Sequence, residues 1–154
     1  MDYKIVETAN GKAIYVKSNQ IADDMYYAEK NKIKHIIISQ YENQYTLNNV
    51  DFLQHYPFIE NITISTWENI DYSALKYLRN LKILNINILA IDKGALDFND
   101  FPNLEDLGIA WNNKRKNISN LNHLKILGLT KYKSKNLKEL SSLLSLEKLI
   151  LGKS

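Results

Sequence analysis

Three histidines, His35, His55 and His123, are the side chains of this chain best suited to proton transfer near neutral pH. They fall at unrelated positions. The motifs H-E-x-x-H, G-x-S-x-G, Walker A and the dinucleotide-binding fingerprint are all missing. Solvated or hydrogen-bonded histidines are therefore the expectation. The carboxylate pairs Asp23-Asp24 and Asp97/Asp100 are of a kind common on helix and loop surfaces, and neither is expected to hold a metal. Cysteine is absent, which removes disulfides, thiolate zinc sites, iron-sulfur clusters and thiol catalysis. Asn61-Ile62-Thr63 and Asn117-Ile118-Ser119 match the glycosylation sequon, as a chain with 19 asparagines will by chance. The expectation is a protein without catalytic residues, metal or cofactor.

Charge offers a different chemistry. The net charge is +3, but residues 1–110 carry ten basic and fifteen acidic side chains, whereas residues 111–154 carry ten basic and two acidic ones. Eighteen of the basic residues are lysine, and Arg79 and Arg115 are the two arginines. Arginine is the residue that reads bases and phosphates bidentately. The basic C-terminal third therefore points to electrostatic steering of an acidic partner more than to nucleic-acid reading. A composition of 45% hydrophobic and 24% charged residues suits one globular domain. No apolar run resembles a signal peptide or reaches the roughly 20 residues that span a bilayer, so a cytoplasmic protein with no membrane partner is expected.

The elements that must carry these groups follow from an internal periodicity. An apolar triplet spaced L-x-x-L-x-L recurs six times, beginning at Ile33, Ile59, Leu81, Leu104, Leu124 and Leu146, with spacings of 26, 22, 23, 20 and 22 residues. Upstream of the triplets the apolar residues fall at every third position, as in Leu75, Leu78, Leu81 and Leu84. On an α-helix each step of three turns about 300°, so such a run drifts around the cylinder and defines no face. A 3₁₀ turn, with about three residues per turn, keeps these side chains on one side. The closing L-x-L of each triplet has period two and predicts a strand with one face inward.

These triplets resemble the leucine-rich repeat family, in its short bacterial type with units of about 22 residues. The resemblance covers Val50 to Leu151 closely and extends more loosely to Ile33. It implies an α/β solenoid, curved and right-handed, with a parallel β-sheet on its concave face and 3₁₀ or extended segments on its convex side. The family carries asparagine at the ninth position of each unit, where it satisfies backbone groups between coils. Here those positions hold Tyr41, Trp67, Leu89, Asn112, Tyr132 and Ser154, so only Asn112 fits.

The ends of the array need closing. Residues 1–32 are expected to form an N-terminal cap: strands over Tyr3–Thr8 and Lys12–Lys17 around a type I′ turn at Asn10-Gly11, then a helix over Ile21–Lys30. Residues 33–154 then form six units of the same structural domain. After Leu151 an open edge is expected, which favours self-association unless Lys148 and Lys153 blunt it.

With the triplets inward, alternate strand residues line the concave face. Ile37, Ile83, Ile126 and Ile150 are large apolar members of that row with no evident structural reason to be exposed. Tyr41, Trp67, Trp111 and Tyr132 follow the strands and would align along one rim, either as binding contacts or as packing inside the turns. Trp111 and Tyr132 are favoured as contacts because Lys114, Arg115, Lys116, Lys131 and Lys133 surround them. The expected function is a non-enzymatic module that binds a folded protein, with an acidic patch on that partner matching the lysines. Its small size suggests an inhibitor, such as the immunity partner of a toxin. The alternatives are nucleic-acid binding by the lysine-rich third, which is the less favoured partner, and a structural subunit of a larger assembly.

Overall fold

The computed structural model describes residues 1–41, 44–132 and 137–152. The strands Lys4–Thr8 (β1) and Gly11–Tyr15 (β2) form an antiparallel hairpin. A helix, Ile21–Lys30 (α1), leads to His35–Ser39 (β3), which pairs parallel to β2. The chain continues through Asn61–Thr66 (β4), Ile83–Ile88 (β5), Leu96–Asp97 (β6), Asp106–Ala110 (β7), Arg115–Lys116 (β8), Ile126–Thr130 (β9) and Lys148–Leu151 (β10). Eight strands form one sheet in the order β1-β2-β3-β4-β5-β7-β9-β10, parallel everywhere except between β1 and β2. The sheet does not close into a barrel, and β6 and β8 form a separate parallel pair.

Hydrogen bonds explain the three-residue spacing in the sequence. In the turn before β4, Leu53 N–H donates to Val50 O, Tyr56 to Leu53 and Ile59 to Tyr56, at 3.0, 3.0 and 3.3 Å. Before β5, Leu75, Leu78 and Leu81 donate to Tyr72, Leu75 and Leu78 at 3.0, 2.9 and 3.2 Å. Before β9, Leu121 and Leu124 donate to Ile118 and Leu121. Each apolar residue thus both closes a 3₁₀-type turn and opens the next, and Leu53, Leu75, Leu78 and Leu81 are fully buried.

The strands carry these residues into register. Ile36, Ile62, Leu84, Leu107, Leu127 and Leu149 are direct cross-strand partners from β3 to β10. All but Leu149 are fully buried. At β10 the core face opens to solvent, where Leu149 and Leu151 are 39% and 50% exposed. Lys153 lies outside the described residues. No helix among the described residues is long and apolar enough to cross a membrane.

The hairpin turn differs from expectation. Thr8 pairs with Gly11, so Ala9 and Asn10 are the loop residues, and only Gly11 has positive φ, at 98°. A type I′ turn needs positive φ at both central positions. Asn10 instead donates its N–H to Thr8 Oγ1, and that hydroxyl donates to Gly11 O at 2.8 Å. The threonine supplies the turn's hydrogen bonds, and glycine absorbs the left-handed residue that follows. The strands are correspondingly shorter, ending at Tyr15 rather than Lys17.

Beyond Tyr15 the backbone is held by a carboxylate. Asp24, fully buried in the first turn of α1, accepts from Lys17 N and Gln20 Nε2, each at 2.8 Å. Burial raises the pKa of Asp24, against these hydrogen bonds.

Candidate binding surface

The outward face of the sheet has two unlike halves. On β3 and β4, His35, Ile37, Ser39 and Asn61 are all buried, with no more than 8% exposure each. Ile37 lies between its cross-strand partners Tyr15 and Thr63, so it does not project as the free contact residue expected of it. From β5 onward the face opens. Ile83 and Ile126 are half-buried, and Ile150 is 49% exposed. Between them Asn85, Gly108 and Gly128 are partners across β5, β7 and β9. A Cβ on Gly128 would approach nothing nearer than backbone at 4.0 Å, which leaves a trough there, while the Asn85 carboxamide lies over Gly108.

The trough widens toward the rim because β5 and β7 part there. Their pairing ends at Asn85 and Gly108. Ala110 O is instead taken by Arg115, whose Nη2 and Nε donate to it at 3.0 and 3.3 Å. The result is a groove of about 500 Å³ lined by Asn85, Asn87, Leu89, Ala110, Thr130 and Lys131.

Arg115 therefore corrects the expectation of a surface cation beside Trp111. Its side chain is fully buried and pairs with Asp92 Oδ2 at 2.9 Å. Its Nη1 donates to Gly94 O at 2.7 Å and to Tyr72 Oη, and Tyr72 donates to Asp92 Oδ1 at 2.7 Å. Burial holds the Tyr72 phenol well above its ordinary pKa. Asn112 completes the cluster by donating to Asp92 O and Gly94 O at 2.9 and 3.0 Å while accepting from Lys114 N. A basic residue between two lysines gave no signal in the sequence that it would turn inward. Its partner Asp92 lies 23 positions away.

The aromatic residues form two pairs rather than one series. Tyr41 and Trp67 rings meet at 4.3 Å between centroids, and Trp111 meets Tyr132 edge-on at 5.3 Å. Trp67 is 52% exposed, whereas Trp111 and Tyr132 are half-buried against the core. Tyr132 also donates its hydroxyl to Glu139 at 2.7 Å. Trp67 is thus the most exposed of the four rim aromatics, whereas the lysines pointed to Trp111 and Tyr132. Leu89 and Ile91, which sequence reading did not single out, are 60% and 68% exposed. Backbone hydrogen bonds from Leu89 to Thr66 and from Ala90 to Trp67 set Leu89 near Trp67, and Ile91 O accepts from Asn69 Nδ2 at 2.9 Å. Lys131 is exposed with φ at 58°, and Lys133 lies outside the described residues.

A second feature occupies the opposite end of the strands. His35 Nε2 lies 3.1 Å from Thr63 Oγ1, while His35 Nδ1 and Asn61 Oδ1 are buried with no hydrogen-bond partner among the described residues. Each orphaned group costs about 1–3 kcal/mol. Burial keeps the His35 pKa below the ordinary imidazole value. The nearby Glu60 is committed to Lys34 and Lys82, at 2.9 and 3.4 Å, and these lysines hold its carboxyl below the usual range. His55 and His123 are exposed on connecting segments. Asp97 caps a 3₁₀ turn through Asn99 N and accepts from Asn117 Nδ2, and Asp100 faces Arg79 at 3.8 Å. Neither a comparison with protein-family models nor one with curated proteins finds a match for the chain.

Proposed function

We propose that the chain is a leucine-rich-repeat-type solenoid, acting in the cytoplasm, that holds a folded protein partner without catalysing a reaction. The in-register column from Ile36 to Leu149 and the 3₁₀ turn at each return support the architecture. Asn112, whose amide bonds two carbonyls of a neighbouring segment, does what the family's ladder asparagine does. In the first unit Gln40, one residue before the ninth position, bridges to the next segment instead: its Oε1 accepts from Trp67 N and Glu68 N at 2.7 and 3.2 Å.

The observation that carries the binding function is the exposure of Trp67, Leu89 and Ile91 on neighbouring segments after β4 and β5, with Leu89 lining a groove floored by glycine and lined by asparagine. Large apolar side chains clustered at more than half exposure have no folding role, and they are the material of binding hot spots. The groove's carboxamides supply the polar complement. Lys131 at its end favours an acidic partner. With Arg115 internal, the basic third holds no arginine for bidentate base contacts, which favours protein over nucleic acid.

The test begins with affinity capture from native extract and proceeds to calorimetric titration of the captured partner. Trp67→Ala weakens binding by about 2 kcal/mol or more, roughly thirty-fold. Leu89→Ala and Ile91→Ala weaken it less. Equal affinity across the three variants and the parent protein would remove the rim from the proposal.

A further inference from the structure

We propose that Asn10, in the loop between β1 and β2, is a site of spontaneous covalent modification that converts it, through a cyclic imide, to aspartate and isoaspartate. The main-chain nitrogen of Gly11 attacks Asn10 Cγ and closes a five-membered succinimide ring. The side-chain nitrogen leaves as ammonia, taking the Gly11 amide proton with it. Water then adds to one ring carbonyl and breaks its bond to the ring nitrogen. Cleavage at Cγ yields aspartate, and cleavage at the main-chain carbonyl yields isoaspartate, whose chain runs through the side-chain carbons. The sum is asparagine plus water giving either acid plus ammonia, so solvent is the one co-reactant.

Asparagine is common in this chain, and three observations select this copy. The first is the nucleophile. Of the 19 asparagines, Asn10 alone precedes a glycine. A side chain on the following residue crowds the ring as it closes, and glycine removes that obstacle. Gly11 is exposed, and the place a Cβ would take has no atom within 4 Å. The second is the electrophile. Asn10 is exposed, and its carboxamide bonds to none of the described residues. The carboxamides of Asn31, Asn69, Asn80, Asn112 and Asn117 are each held by a carbonyl or carboxylate. The third is the backbone. The Thr8 hydroxyl takes up Asn10 N–H and Gly11 O, but not the attacking Gly11 nitrogen. Gly11 faces Thr8 at the last rung of the hairpin, and end rungs open at little cost in free energy.

Either product adds a negative charge at the loop. Isoaspartate also lengthens the main chain by one carbon. Loop length sets hairpin register, so Thr8 and Gly11 then lose either their rung or their hydroxyl contact.

Ageing the full chain in warm, mildly alkaline buffer, followed by peptide mapping and labelling with isoaspartyl methyltransferase, tests the assignment. The peptide containing Asn10 should show the mass change of NH replaced by O, divide into aspartate and isoaspartate forms, and take up methyl groups. Its conversion should quicken in proportion to hydroxide, because the deprotonated amide is the attacking species. Asn10→Gln, which would need a six-membered ring, should lose the label. Residue 10 is exposed, so that variant keeps the fold. A synthetic peptide of residues 4–15, aged in parallel, times the same chemistry without the fold. In the isolated isoaspartate form, amides of β1 and β2 beside the loop should lose hydrogen-exchange protection that the aspartate form retains. Four results would overturn the proposal: Asn10 intact once the peptide has converted, aspartate with no isoaspartate, other asparagines converting equally fast, or a label undiminished in Asn10→Gln. Equal protection in the two products would overturn the effect on the hairpin. No readout involves Trp67, Leu89 or Ile91, so this site can fail while the rim stands.

Discussion

Arg115 and Asp92 form a buried ion pair, and such a pair is judged by what happens when one partner goes. Arg115→Met leaves the Asp92 carboxylate without its counter-ion and should cost about 3–5 kcal/mol, measured as a fall in the urea midpoint. Adding Asp92→Asn keeps an acceptor for Tyr72 and Gly94 and should recover most of that loss. A second variant equal to the first would mean that the charge was never uncompensated. Asp106 tests the opposite case. Burial raises its pKa above 3.8 with only Lys148 opposing, so the folded state binds the extra proton and stability falls as pH rises from about that value through the raised one. Asp106→Asn should therefore stabilise the protein at pH 7, and the gain should vanish in acid below the ordinary carboxylate value. A gain that persists at low pH would place its origin elsewhere. Neither burial was legible in the sequence. Arg115 sits among lysines and Asp106 alternates along a strand like any solvent-facing residue, because the partner that decides each environment comes from another part of the chain.

At the scale of elements, strands and turns were legible because their period is written locally. Every-third leucines became consecutive 3₁₀ bonds, and alternate residues became a registered column. The hairpin turn was misread because the Thr8 hydroxyl, not the Asn10-Gly11 dipeptide, organises it. The exposed Leu89 and Ile91 escaped notice because an apolar residue between strands reads as core until neighbouring elements fail to cover it. A charge pattern was also missed. In the eight-stranded sheet the residue before each strand from β3 onward runs Lys34, Glu60, Lys82, Glu105, Lys125, Glu147, and these neighbours join through backbone bonds. Ion pairs at 2.9, 3.4 and 3.3 Å link Lys34 and Lys82 to Glu60, and Lys125 to Glu105. Alternating signs disfavour a strand slipping past its neighbour. Glu60→Lys sets three like charges in a row and should cost about 1 kcal/mol at low ionic strength. The penalty should shrink in about 1 M salt, as screening requires, and thermal melts at both ionic strengths would show it. A loss independent of salt would count against an electrostatic origin.

Across the whole molecule, burial falls off toward the C-terminal strand. Every residue of β3 is buried and every residue of β10 is exposed. Amide hydrogen exchange should follow that gradient, with β10 the first to lose protection and β4, paired on both sides, among the last. Uniform exchange along the array would instead indicate a single all-or-none opening. The position of the seam between β5 and β7 bears on how the molecule carries force. β4 and β5, and β7 and β9, are joined by pairing along their length, but past Asn85 the β5–β7 seam is closed by a guanidinium clasping Ala110 and Asp92. Tension applied across the rim half of that seam would meet the Arg115 guanidinium, the Asn112 carboxamide and the two-residue β6–β8 pair instead of a full row of peptide groups, so mechanical continuity there leans on side chains that one nucleotide change could replace.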